Sequence, residues 1–138
     1  MVGWRSMRFP EAMDNQKIDL KPEASRYELG CPSFPTIFGI GAAVEYLSKI
    51  GIEKIQNRIL ELTDFAIRGL EERGFEILSC REEKYRSGIV IVKVKNPEHL
   101  WKRMLHDKIY VSVRGGGIRL APHFYNSFEE IEAFMKKI

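Results

Sequence analysis

The sequence predicts an α+β domain, a two-layer sandwich in which helices cover one face of a mostly antiparallel sheet of about four strands. Three observations carry this. The apolar period switches from helical to strand-like at Gly74, and a later pair of short strands closes around Gly115-Gly116-Gly117. The resulting order is helix, helix, strand, strand, helix, strand, strand, helix. Strands joined by hairpins, with helices left to cover one face, give a two-layer architecture.

Residues 1–30 show little periodicity. They hold Pro10, Pro22 and scattered apolar residues such as Trp4, Phe9, Ile18 and Leu20. Such a stretch cannot bury enough surface to fold alone, so it is expected to be an arm or inter-domain lead. The α+β domain is assigned to residues 31–138. After Pro35, the residues Ile37, Ile40, Val44 and Leu47 recur at helical steps, and Gly51 interrupts them. A second helix places Ile52, Ile55, Ile59, Leu62, Ala66 and Leu70 on one face, and Gly74 supplies the stop.

Phe75–Cys80 and Gly88–Val94 then read as strands, the second rich in β-branched residues. The charged stretch Arg81–Arg86 between them is expected to be a solvated loop. Asn96-Pro97 opens a helix that carries Leu100, Met104 and Leu105 inward and ends near Lys108. Ile109–Val113 and Ile118–Ala121 form the hairpin, where glycine permits positive φ. Ser127 with Glu130 three residues on is a capping box, opening a last helix through Ile131, Phe134, Met135 and Ile138.

Composition excludes several classes. The chain has 138 residues, 44% hydrophobic and 30% charged, which suits one globular domain and is too short for a large multi-domain enzyme. No apolar run approaches the roughly 18 residues of a membrane span. Charge is nearly balanced and scattered, with 22 basic and 19 acidic residues, so no nucleic-acid partner is expected. Cys31 and Cys80 are too few and too far apart for a disulfide framework or a metal site, and only three histidines exist. The expected compartment is the cytoplasm.

Arg119 is the most pointed chemical candidate. It lies on a short strand just after three glycines, and its planar guanidinium is shaped to grip a carboxylate through two parallel hydrogen bonds. A surface arginine on an alternating strand has the same pattern, and pattern alone favours that reading. The loop Gly30-Cys31-Pro32-Ser33 precedes a helix and suits an anion such as phosphate. Gly39 and Gly41 follow no strand, so they read as close-packing positions and not as a dinucleotide fingerprint. His106-Asp107-Lys108 reads as a helix end, and His99, His106 and His123 lack the partners of a metal site. No residue is assigned a catalytic or metal-binding role.

Two longer stretches resemble a known family. Arg26-Tyr27-Glu28-Leu29-Gly30-Cys31-Pro32-Ser33 is similar to the Arg-aromatic-Glu-x-Gly-Thr-Pro-Asn segment of class V pyridoxal-phosphate enzymes. That family includes aminotransferases, cysteine desulfurases and kynureninase-like enzymes. Arg119 to Ser127, running into an acidic helix, resembles the family's Arg-x-Ser-x-x-x-Tyr-Asn-Thr motif, and Gly3-Trp4 looks like the segment after the cofactor lysine.

The resemblance implies a C-terminal small domain without the cofactor-binding large domain. It implies that Arg119 grips the substrate carboxylate, and that the Gly30-Cys31 loop reaches the cofactor phosphate across a dimer interface. Cys31 replaces the family threonine there, and a thiol is a weaker donor than a hydroxyl. The Schiff-base lysine motif is not present, so the chain is expected to be inactive alone. Its expected partners are a second copy or a separate large domain, with an amino-acid substrate in the complete enzyme. The alternative is a stand-alone module that binds a small carboxylate or a protein. Helices that would pack on a large domain are expected to leave apolar surface exposed, promoting self-association, with a loosely held arm.

Overall fold

A computed structural model describes residues 2–14 and 16–138. The backbone falls into two compact units, one running to Glu45 and one covering Tyr46–Ile138.

The first unit is ordered by its backbone. Short 3-10 turns span Trp4–Ser6, Pro10–Ala12 and Ala24–Tyr27. Between them Met7 and Leu20 form an antiparallel bridge, Arg8 N–H donates to the Asp19 carbonyl at 2.8 Å, and Lys21 N–H donates to that of Ser6 at 3.0 Å. Gly3 is required at its crossing with the chain further on. A Cβ there would lie 1.8 Å from the Leu29 carbonyl oxygen, a distance no side chain can adopt. Among the described residues of this unit only Ser6 is buried, so no apolar core forms.

Helix α1, Phe34–Ile50, begins in this unit. Apolar residues surround it, and none of its residues is buried. Phe34, Ile37, Phe38, Ile40 and Val44 are all more than half exposed. Nothing lies within 4 Å of a Cβ built on Gly39 or Gly41, so the close packing expected of these glycines has no partner among the described residues.

The second unit holds the core. Helix α2, Ile52–Glu72, directs Leu62, Ala66, Ile67 and Leu70 inward. It ends as expected at Gly74, whose φ is +81°. Gly74 N–H donates to the Glu71 carbonyl at 2.8 Å and Phe75 N–H to that of Leu70 at 3.0 Å, which satisfies two orphan carbonyls of the last turn. Strand β1 is Val90–Lys93, helix α3 is Pro97–His106, strands β2 and β3 are Ser112–Arg114 and Gly117–Leu120, and helix α4 is Phe128–Lys137. The sheet is antiparallel in the order β1-β3-β2. Val90 and Val92 of β1 and Ile118 and Leu120 of β3 meet Leu62 and Leu70 of α2, Leu100 and Met104 of α3, and Phe134 of α4 in one buried cluster.

The sheet has three strands, not about four. The segment predicted at Phe75–Cys80 meets β1 at a single bridge, Ile77 to Val92, flanked by Leu78 N–H to the Ile91 carbonyl and Lys93 N–H to that of Glu76. The ladder stops because the Ser79 hydroxyl takes the next donor, Ile91 N–H, at 2.7 Å. A side chain substitutes for the backbone carbonyl that a fourth strand would have supplied. Strand β2 starts later than predicted for a similar reason. Lys108 adopts φ +59°, and Ile109 N–H closes the end of α3 on the Met104 carbonyl at 2.8 Å.

The charged loop after Cys80 is tied down and is not simply solvated. Arg81 pairs with Glu71, and Arg86 reaches both Asp64 and the buried Thr63 hydroxyl of α2.

Candidate functional site

The strand register fixes which way Arg119 faces. On the central strand β3, Ile118 and Leu120 point into the helices, so Arg119 between them takes the other face of the sheet. Its register partners are Ile91 on β1 and Ser112 on β2. Gly115 and Gly116 close the hairpin at φ +57° and +80°, the paired left-handed conformation of a two-residue turn. Gly117 serves the sheet. A Cβ there would lie 2.2 Å from the Val92 carbonyl oxygen, so this glycine lets β1 and β3 meet.

The guanidinium of Arg119 is the structure's conspicuous unmatched cation. Five arginines among the described residues are half-buried, and four have partners. Arg5 faces Glu28, Arg26 the Tyr27 hydroxyl, Arg58 both Glu61 and the Asn126 carbonyl, and Arg86 Asp64. Arg119 forms no hydrogen bond or ion pair among the described residues, and its Nε is buried without an acceptor. A buried donor left unmatched costs about 1–3 kcal/mol.

The turn after β3 is held firmly. Asn126 Oδ1 accepts from His123 N–H at 2.8 Å, its Nδ2 donates to Glu130 at 3.1 Å, and its carbonyl accepts from Arg58 at 3.2 Å. The Ser127–Glu130 capping box forms as predicted and opens α4. Hydrogen bonds from Ser127 N–H and the Asn126 amide hold the Glu130 carboxyl below its usual range. The His123 ring stacks on Tyr125 at 4.8 Å, and its Nδ1 is buried without a partner. The Asn-Ser-x-x-Glu pattern announced the cap, but no sequence signal announced the Arg58 anchor from α2.

Gly30 and Cys31 lie in the first unit. The Cys31 thiol is exposed, and the Trp4 indole nitrogen lies 3.5 Å from where a Gly30 Cβ would stand. The Ser33 hydroxyl is engaged with Thr36 at 2.8 Å.

The remaining candidates are structural. Asp107 accepts from Lys137 at 2.8 Å and pairs with His106, and these bonds lower its carboxyl below the usual range. With Lys108 closing α3, the His-Asp-Lys triplet is a helix end. No group of three His, Cys, Asp or Glu able to hold a metal ion occurs among the described residues, and no described helix is long and apolar enough to cross a membrane.

Residues 7–134 match the family described as Aminotransferase class-V. Among curated relatives, an uncharacterized aminotransferase YcbU of Bacillus subtilis is 27% identical over 83% of this chain and 31% of its own length. A probable cysteine desulfurase of Pyrococcus abyssi is 28% identical over 86% of this chain and 33% of its own length. A solved cysteine desulfurase from Thermococcus onnurineus superposes with a TM-score of 0.71 at 25% identity, covering 89% of this chain and 34% of that one. A cystine C-S lyase, solved with its product cysteine persulfide, shares the fold with a TM-score of 0.72 at 22% identity, covering 99% and 36%. The chain thus spans about a third of the length of the relatives it matches. It belongs to the aminotransferase class-V family.

Proposed function

We propose that residues 31–138 are the C-terminal small domain of a class V pyridoxal-phosphate enzyme, that residues 1–30 are its lead, and that Arg119 grips the carboxylate of an amino-acid substrate. The observation that carries this reading is the half-buried Arg119 guanidinium, which finds no acceptor among the described residues. A carboxylate is the acceptor its two parallel donors fit, at about 1.5–3 kcal/mol for a charge-assisted hydrogen bond.

When bound in a complete family enzyme, pyridoxal phosphate supplies the electron sink, and a lysine forms its covalent link. In this reading the present chain contributes neither. It orients the substrate from the open face of the sheet, and the complete enzyme acts as a dimer in which the Gly30-Cys31 loop approaches the phosphate. The chain alone is inactive.

Calorimetry of the 138-residue chain against L-alanine and L-cysteine tests the arginine. Weak binding is expected, and Arg119→Ala should abolish it without lowering the melting temperature, since the substitution removes an unmatched buried donor. Binding that ignores the substitution would remove Arg119 from the site. Mixing the chain with pyridoxal phosphate should give no borohydride-stable adduct at a single lysine, and such an adduct would overturn the claim of inactivity.

A further inference from the structure

Basic residues outweigh acidic ones over one long stretch of the second unit, and part of that excess reaches a groove. Between Lys84 and Arg119 there are nine Lys or Arg and two Asp or Glu. Lys93, Lys95 and Arg103 of this stretch line the groove, which is about 550 Å³ and bounded by the chain after Gly74, the end of β1, the first turns of α3 and Ile138.

The floor of the groove is apolar. Phe75, Val94 and Leu100 line it, and all three also pack on the core. Its rim carries Lys95, His99 and Arg103. Lys93, also on the rim, is matched by Glu76 at 2.7 Å. Lys95 and His99 have no hydrogen bond or ion pair among the described residues, and Arg103 donates only to the Lys137 carbonyl at 3.2 Å.

We propose that this groove docks an acidic segment of a partner protein, with one bulky apolar side chain on the floor and carboxylates on the Lys95, His99 and Arg103 rim. Charge complementarity sets the sign of the partner, and the apolar floor sets its anchor. Nucleic acid fits less well. The cations form a short rim, not a track, and the one aromatic residue of the floor, Phe75, packs on the core and offers no open stacking platform. This proposal stands apart from the Arg119 reading, since its observations come from another part of the second unit.

The test is fluorescence anisotropy of the full chain with a labelled acidic peptide carrying one central phenylalanine. Replacing that phenylalanine by serine should weaken binding about tenfold or more, as loss of one buried aromatic side chain predicts. The double variant Lys95→Ala/Arg103→Ala should weaken it roughly fivefold to twentyfold, and added salt should weaken it further. Lys54→Ala, on the exposed side of α2, should leave it unchanged, and thermal melting verifies that each variant is folded. Absence of binding overturns the proposal. So does indifference to the double variant, or tighter binding of a single-stranded oligonucleotide than of the peptide.

Discussion

The two units draw on similar side chains and use them differently. The second unit gathers residues from α2, β1, α3, β3 and α4 into a cluster in which Leu62, Leu70, Val92, Met104 and Ile118 are fully buried. The first unit, with Trp4, Phe9, Met13, Ile18 and Phe38 at its disposal, leaves all five more than half exposed. Its order comes from backbone hydrogen bonds, a glycine crossing and two exposed ion pairs, Arg5–Glu28 and Arg8–Asp19. Exposed pairs of that kind contribute about 0–1 kcal/mol each. Apolar content therefore does not make a core. A core also needs elements whose apolar faces can meet, and only the second unit supplies them within this chain.

The largest effects should separate the units by stability. Phe134→Ala empties the centre of the second unit and should cost about 3–5 kcal/mol in denaturant unfolding. Phe9→Ala, at an exposed site, should stay within about 0.5 kcal/mol. Equal losses would mean that the first unit has a core of its own.

Glycine substitutions sharpen the same contrast. A Cβ on Gly69 of α2 would lie 2.5 Å from Met135 Sδ of α4, so Gly69→Ala must displace the end of that side chain, and its helix-propensity gain of about 1 kcal/mol should be reduced or cancelled. Gly39→Ala meets nothing and should stabilise α1 by up to about 1 kcal/mol through helix propensity alone. Thermal melts should rise more for Gly39→Ala than for Gly69→Ala.

The smallest effect concerns the cap of α4. Ser127→Ala removes the acceptor for Glu130 N–H and should cost about 1 kcal/mol. Glu130 adds a pH dependence. Hydrogen bonds from Ser127 N–H and the Asn126 amide hold its folded carboxyl below the usual carboxylate range, so its contribution is fully present above that range and fades as pH falls through the lowered value. Melts between neutral pH and pH of about 3 should therefore lose less stability in Glu130→Gln than in the parent chain.

The sequence was most legible where a local rule operates within a few residues. Gly74 as a helix stop, Ser127 and Glu130 as a cap, and Gly115-Gly116 as a turn all follow from local backbone chemistry, and each is found. It was least legible where a distant group decides. The Ser79 hydroxyl ends a ladder begun by Ile77, and Arg58 anchors a turn 68 residues away. The orientation of Arg119 follows from strand alternation. That it lacks an acceptor is learned only from its neighbours in space, because the sequence does not decide which of the chain's carboxylates the fold brings beside it. The same holds for the basic groove, whose Lys95 and Arg103 are two of many cations in the stretch from Lys84 to Arg119 and whose apolar floor needs Phe75 brought alongside Leu100.

The Ser79 hydroxyl also bears on solubility. An edge strand with free N–H and C=O groups is a template on which other chains add strands, the first step toward aggregation. Beside β1 the flanking segment uses Glu76 and Leu78 for two backbone bonds, and Ser79 then fills the next site with a side chain. The outer edge of β1 is thereby occupied by a short, irregular stretch that cannot itself extend into a ladder. A segment that fails as a fourth strand succeeds as a guard against intermolecular β-pairing.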